Sequence, residues 1–186
     1  MIELDIFSPA DGWAVETLLD KAFGPDRHMK TSQRLRDGRL PADGLAFVAR
    51  DGDTVIGTIS FWHVDAGGRQ ALLLGPVAVD CAYQGQGVGR SLIINGLNQA
   101  ATRGHGGVIL VGDAPYYGRF GFERRHTCGL VLPGPVDEKR FLGMELMPGA
   151  LEGAHGLVVP TGMSATPTLP ALAPFDFVPF DLKTAA

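Results

Sequence analysis

Residues 2–7 alternate apolar and polar side chains, the two-residue period of a strand with one face against a core. Ser8-Pro9-Ala10-Asp11 then offers a helix start, and Trp13, Leu18, Leu19 and Phe23 recur near helical spacing until Gly24-Pro25 ends the pattern. Residues 29–39 are polar and basic and predict a second, short helix. Residues 45–50 and 54–64 read as strands joined by the hairpin turn Asp51-Gly52-Asp53, and Ala66-Gly67-Gly68-Arg69 turns the chain into a third strand over 70–79. The period then changes. Ile93, Leu97, Ala100 and Ala101 fall at i, i+4, i+7 and i+8, which predicts a helix over 88–103 with one face on a sheet and Gly104 as its stop.

Residues 108–111 are continuously apolar, as in a central strand covered on both faces, and the order strand, helix, strand predicts that they run parallel to 70–79. Asp113 can cap a short helix whose first turn contains Pro115. Residues 122–125, 129–132 and 141–147 are further candidate strands. From Thr161 the composition shifts. Pro167, Pro170, Pro174 and Pro179 stand among Phe175, Phe177 and Phe180, too many prolines for a helix or a central strand; the stretch is either a disordered end or an extended strap, and three phenylalanines within six residues favour a strap docked on the body. The expected organisation is a mixed α+β fold in one domain over 1–160, followed by a Pro/Phe-rich tail over 161–186.

Composition narrows the function. With 186 residues, 45% of them hydrophobic, the chain can bury one sizeable core. A net charge of −4, and no Lys/Arg run longer than Arg124-Arg125, leave no electrostatic footprint for nucleic acid. Cys81 and Cys128 lack a Cys-x-x-Cys partner or histidine pairing, so neither a metal site nor a disulfide framework is expected. The N-terminus carries acids where a secretory signal needs bases, and no apolar run approaches the ~18 residues of a membrane span. A cytoplasmic protein without a membrane partner is expected.

The chemistry concentrates where the helix over 88–103 must begin. Gly85, Gly87 and Gly89 alternate there, so several backbone N–H groups can approach a ligand without a Cβ in the way, and bare amides at a helix N-terminus attract phosphate. This reads as a pyrophosphate cradle. A dinucleotide-binding turn needs Gly-x-Gly-x-x-Gly and an acid about twenty residues on, whereas the glycines here read Gly-x-Gly-x-Gly and residues 103–107 hold no acid. A Walker loop needs a glycine five residues before Gly89 and a lysine after it, but Gln84 and Arg90 stand there.

What does fit is Gln/Arg-x-x-Gly-x-Gly/Ala, met by Gln84, Gly87 and Gly89 after an apolar strand, with Tyr117-x-x-x-Gly121-Phe122 following the next strand. In this order the two blocks resemble the GNAT superfamily of acyl-CoA N-acyltransferases. Within it, residues 74–122 are similar to the YhbS-like N-acetyltransferase branch, whose pattern LGPLAVDPAYQGRGIGRAL…VLVGDPAYYxRFGF departs here by Cys81 for proline and Gln86 for arginine. The resemblance implies the GNAT fold, a central mixed sheet flanked by helices and splayed at the cofactor site. It implies acetyl-CoA as donor and a primary amine, of a small molecule or protein, as acceptor; it allows a homodimer. By the same resemblance, the exposed backbone of Val77, Ala78 and Val79 pairs with the pantetheine arm, and the loop Gln84, Gly85, Gln86, Gly87, Val88, Gly89 and Arg90 holds the diphosphate. Tyr117 takes the position of the tyrosine that protonates the departing sulfur, with Tyr116 as its adjacent competitor, while Arg90, Arg119 and Arg124 are candidates for phosphate contacts. No acid lies on the strand before the loop, so the general base is either His63, the one histidine whose place suits the acceptor cleft, or a water relay. A reading from another class is an acyl-CoA-binding sensor or regulatory subunit that does not turn its ligand over.

Overall fold

A computed structural model of the protein describes residues 1–165. Its strands are β1 (Ile2–Ile6), β2 (Ala46–Asp51), β3 (Thr54–Ala66), β4 (Gln70–Val79), β5 (Gly107–Val111), β6 (Leu130–Val131), β7 (Phe141–Glu145) and β8 (Gly156–Pro160). The helices are α1 (Gly12–Phe23), α2 (Thr31–Arg34), α3 (Val88–Thr102) and α4 (Ala114–Gly118). One mixed sheet runs in the order β1-β2-β3-β4-β5-β7, with β8 beside the end of β3 and β6 beside β8. Within it β4 and β5 are parallel, whereas β1 to β4 are antiparallel neighbours and β7 lies antiparallel to β5.

The two-residue period sorts the sheet's side chains onto two helical layers. Phe47, Phe61 and Leu72 meet Leu92, Ile93, Leu97 and Ala100 of α3 in one buried cluster, while Val48 and Ala78 meet Val15, Leu18 and Leu19 of α1 in another. Each such Leu or Ile, fully buried, contributes roughly 1.5–3 kcal/mol. Gly96 lets α3 lie directly on β3, because a Cβ there would overlap the ring of Phe61.

The feature that positions the site is a short ladder. β4 pairs with β5 only at Leu72–Val108 and Leu73–Ile109; beyond these, β4 follows β3 and β5 follows β7. The divergence coincides with a bulge in β4. Ile59 faces Val77 and Phe61 faces Leu74, so Gly75 and Pro76 together stand opposite Ser60. Gly75 takes φ 127°, a conformation that favours glycine, and Pro76 has no N–H to offer a neighbouring strand. The indole N–H of Trp62 donates to the Gly75 carbonyl (2.6 Å) and holds the bulge.

Three expectations change. The helix expected over 29–39 shrinks to α2, preceded by a 3-10 turn, Pro25–Met29. Leu35 is the only buried apolar residue in that stretch, so no continuous apolar face exists to hold a longer helix. Hydrogen bonds from Thr31 to the Pro135 carbonyl and from Arg34 to the Pro133 carbonyl anchor it instead. The strand expected over 122–125 is a 3-10 turn, Arg124–Thr127, with a single bridge from Glu123 to Gly143. The buried hydroxyl of Thr127 donates to the Phe141 carbonyl (2.6 Å) and closes that turn. β8 was not anticipated; it buries Val158 and exposes Leu157 and Val159. The first five residues of the stretch read as a tail are tied to the body, with the N–H of Thr161 on His63, that of Leu40 on Met163 and that of Ala165 on Gly38. The docking expected of Phe175, Phe177 and Phe180 lies outside the described residues.

Candidate active site

The turn between β4 and α3 is built by local hydrogen bonds. The Asp80 carboxylate accepts the N–H of Ala82 (3.0 Å) and reverses the chain after β4. Gly85 and Gly87 then take φ 79° and 85°, the left-handed region that Gln84 and Gln86 avoid. Gly87 immediately precedes α3, and no side chain caps the helix, so the N–H groups of its first turn are left to meet a ligand. Val79, Gln84, Gly85, Gly87, Val88, Gly89 and Arg90 line a cavity of about 370 Å³ beside this helix end, together with Tyr116 and Arg119. Gln86 is turned back, its amide donating to the Ala82 carbonyl (3.0 Å). Val77, Ala78 and Val79 pair with Ile59, Thr58 and Gly57 on one edge and, among the described residues, have no strand on the other, where β5 has diverged.

Tyr116 and Tyr117 sit on α4, whose N-terminus Asp113 caps by accepting the Tyr116 N–H (3.0 Å), as expected. The two rings are nearly perpendicular, with centroids 5.1 Å apart. Tyr116 faces the cradle, under the guanidinium of Arg119 (4.6 Å to the ring centroid). Tyr117 lies on the other side of the splay, packed edge-on to Phe122 and lining a second cavity of about 200 Å³. Burial pushes its phenol up to about 12, with Tyr116 adding to the rise and Arg140 opposing it. Tyr117 therefore keeps its proton through the neutral range and can donate it.

The second cavity opens between the diverging strands. Leu74, Gly75, Pro76 and Val77 of β4 line one side, Val111 at the end of β5 with Gly112 and Asp113 another, and Phe23, Lys30, Gln33 and Arg36 a third. Its charged lining is Arg27, Lys30, Arg36 and Arg140 against Asp113, which is occupied in capping α4. A related hollow of about 220 Å³ shares Arg27, Gln33, Arg36 and Pro76 and adds Glu16, Ser60 and Trp62. Arg27 bonds to both Glu16 and Asp20, so its charge is compensated. Burial pushes Lys30 below the ordinary lysine range, and the charges of Arg140 and Arg36 add to the shift.

His63, expected as general base, is not brought to Tyr117. It lines neither hollow, whereas its neighbours in the chain, Ser60 and Trp62, line the second of them. Strand alternation puts His63 on the face of Phe61, where its ring lies 5.3 Å from that of His105, past the end of α3. Asp65 caps the following turn by accepting the Gly68 N–H (2.7 Å). Of the three arginines offered for phosphate contacts, Arg90 and Arg119 line the cradle, and Arg124 instead pairs with Glu138. The cationic group Lys30, Arg36 and Arg140 was missed. The basic character of 29–39 was visible, but nothing local showed that it would face the loop before β7.

Residues 42–124 match the family described as the acetyltransferase (GNAT) domain. The chain is 35% identical over 152 residues to the uncharacterized N-acetyltransferase YhbS of Escherichia coli K12, covering 81% of this chain and 90% of that one. It is 30% identical over 142 residues to the uncharacterized N-acetyltransferase YjhQ of the same strain, covering 72% and 77%. The crystal structure of E. coli YhbS in complex with CoA superposes with a TM-score of 0.73 at 34% identity, covering 86% of this chain and 89% of that one. A GNAT acetyltransferase of Brucella melitensis in complex with acetyl-CoA superposes with a TM-score of 0.62 at 26% identity, covering 89% and 94%.

Proposed function

This chain belongs to the GNAT acetyltransferase family, and from that we propose that it transfers an acetyl group from acetyl-CoA to a primary amine. The single observation that carries the reading is the splay. The edge of β4 that turns away from β5 joins two cavities, Val79 lining the one at the uncapped start of α3 and Val77 the one that holds the Tyr117 phenol. The donor fits the residues present, since the glycines at 85 and 87 open a helix end that no side chain caps among the described residues.

In this reading the first-turn N–H groups of α3, with Arg90 and Arg119, hold the diphosphate. The edge of Val77, Ala78 and Val79 pairs with the pantetheine arm, and a backbone N–H near Ala78 or Val79 polarises the thioester carbonyl. The amine nitrogen attacks the carbonyl carbon, so a C–N bond forms and the C–S bond breaks. Tyr117 gives its proton to the departing thiolate and regains one from solvent. Water takes the proton lost by the amine, which is supported by the lining of the second cavity. Among the described residues no imidazole lines it, and the one carboxylate that does, Asp113, is engaged in the cap. The cations around the cavity favour the neutral, nucleophilic amine over its ammonium form.

The test is thiol release. Incubation with acetyl-CoA and a broad panel of primary amines should liberate coenzyme A with at least one acceptor well above the hydrolytic background. Thermal stabilisation by acetyl-CoA without release from any amine would leave a binding protein and overturn the transfer reading.

A further inference from the structure

The second cavity carries more positive charge than any neighbouring group of the protein uses. Arg27 is compensated by Glu16 and Asp20, but Lys30 and Arg140 form no ion pair among the described residues. Arg36 is the decisive residue. Its Nε–H is buried and has no hydrogen-bond partner among the described residues. Asp37, the adjacent acid, accepts instead from Gln33 (2.7 Å). A buried donor left without a partner costs roughly 1–3 kcal/mol, more on a charged group, and Arg36 stands in the wall shared by both hollows. Three like charges also converge here from distant parts of the chain, Lys30 and Arg36 on either side of α2 and Arg140 before β7.

Such a lining repels a simple alkylammonium ion and attracts an oxyanion, which guanidinium groups bind through charge-assisted hydrogen bonds. Resting on the acetyl-transfer reading, we propose that the acceptor is a small amine that also carries an oxyanion, a carboxylate or a phosphate. Its anionic end is held by Arg36 with Lys30 and Arg140, and its amine points to the β4 bulge and Tyr117. A volume of about 200 Å³ suits a compact molecule of this kind. The anion also offsets the charge that would otherwise exclude the amine.

Calorimetric titration of the CoA-saturated protein tests this with the diphosphate cradle already filled. Two matched pairs separate the anion sources, β-alanine against propanolamine and phosphoethanolamine against ethanolamine. At least one anionic member should bind ~10-fold or more tighter than its neutral partner, a difference of about 1.4 kcal/mol. Which pair shows the preference identifies carboxylate or phosphate. Arg36→Gln should abolish the preference while CoA affinity stays unchanged. Should that variant fail to fold, Arg140→Gln, which alters an exposed side chain, should reduce it. Equal affinity within both pairs, including no measurable binding of any of the four, overturns the proposal, as does a preference that survives the substitutions. The two readings fail differently. Anion-dependent binding without thiol release sinks acetyl transfer alone, and thiol release that favours the neutral amines sinks the oxyanion site alone.

Discussion

Tyr116 and Tyr117 are consecutive, yet they answer to different chemistry. Helical geometry sends one ring to the cradle under Arg119 and the other into the cavity beside the β4 bulge. Tyr117→Phe keeps the packing on Phe122 and removes only the hydroxyl. Folding and acetyl-CoA affinity should change little, while turnover falls; loss of a general acid typically costs ~10²–10⁴-fold. The lower end is expected, because a thiolate departs partly unaided. Tyr116→Phe is the control and should be nearly silent in turnover. Wild-type turnover in Tyr117→Phe, or damage confined to Tyr116→Phe, would show that the proton comes from elsewhere. Ultraviolet difference titration of the wild type against Tyr117→Phe should place the additional phenol near 12 rather than in the ordinary range.

Helix α3 depends on a glycine at its start and on another at its middle. At the start, Gly87→Asp puts a good N-capping side chain at the residue before the helix, worth about 0.5–2 kcal/mol, against a left-handed φ that costs a non-glycine roughly 1–2 kcal/mol. These nearly cancel, so the melting temperature should move by only a few degrees. The carboxylate takes up the first-turn amides and repels phosphate, so acetyl-CoA should no longer stabilise the variant. A thermal shift equal to that of the wild type would remove the cradle assignment. In the middle of the helix, Gly96→Ala gains about 1 kcal/mol of helix propensity, but the added Cβ runs into Phe61, which is fully buried and cannot retreat. Overpacking costs typically 1–3 kcal/mol, so a net loss of up to about 2 kcal/mol should appear in the denaturation midpoint. The loss should shrink when Phe61→Leu makes room. A stability gain in Gly96→Ala alone would mean that α3 does not lie as close to β3 as described.

The body is pinned by carboxylates that join elements, and this sets its response to acid. Asp11 is held below the ordinary aspartate range by the Ser8 N–H and then by Arg50, which also binds Asp5 of β1. Glu145 is held down by the N–H groups of Leu151 and Gly149. A carboxylate whose folded value is depressed contributes stability that is present above its unfolded value and lost as pH falls through the folded one. The contribution of these two carboxylates should therefore be constant above about pH 5 and be lost below pH 4. Asp11→Asn, which weakens the bonds to Arg50 and the Ser8 N–H, should cost about 0.5–1.5 kcal/mol at neutral pH, with the gap to the wild type closing toward pH 2 in chemical denaturation. A gap that stays constant with pH would mean that the Asp11 charge contributes nothing. How much of all this the chain reveals before it folds depends on how far apart the cooperating residues are. Alternation from Ile2, the hairpin at Gly52 and the Asp113 cap are contacts between near neighbours, and so is the turn of two left-handed glycines at the start of α3; the sequence by itself determined these, along with membership of the family. The tertiary structure alone decided that Trp62 and not His63 faces the hollow beside the β4 bulge, because strand period fixes only that the two face opposite ways. It alone decided that Lys30, Arg36 and Arg140 meet around one cavity. That meeting depends on the β4 bulge opening the sheet and on long-range packing of a segment with a single buried apolar anchor, Leu35, neither of which leaves a period in the sequence.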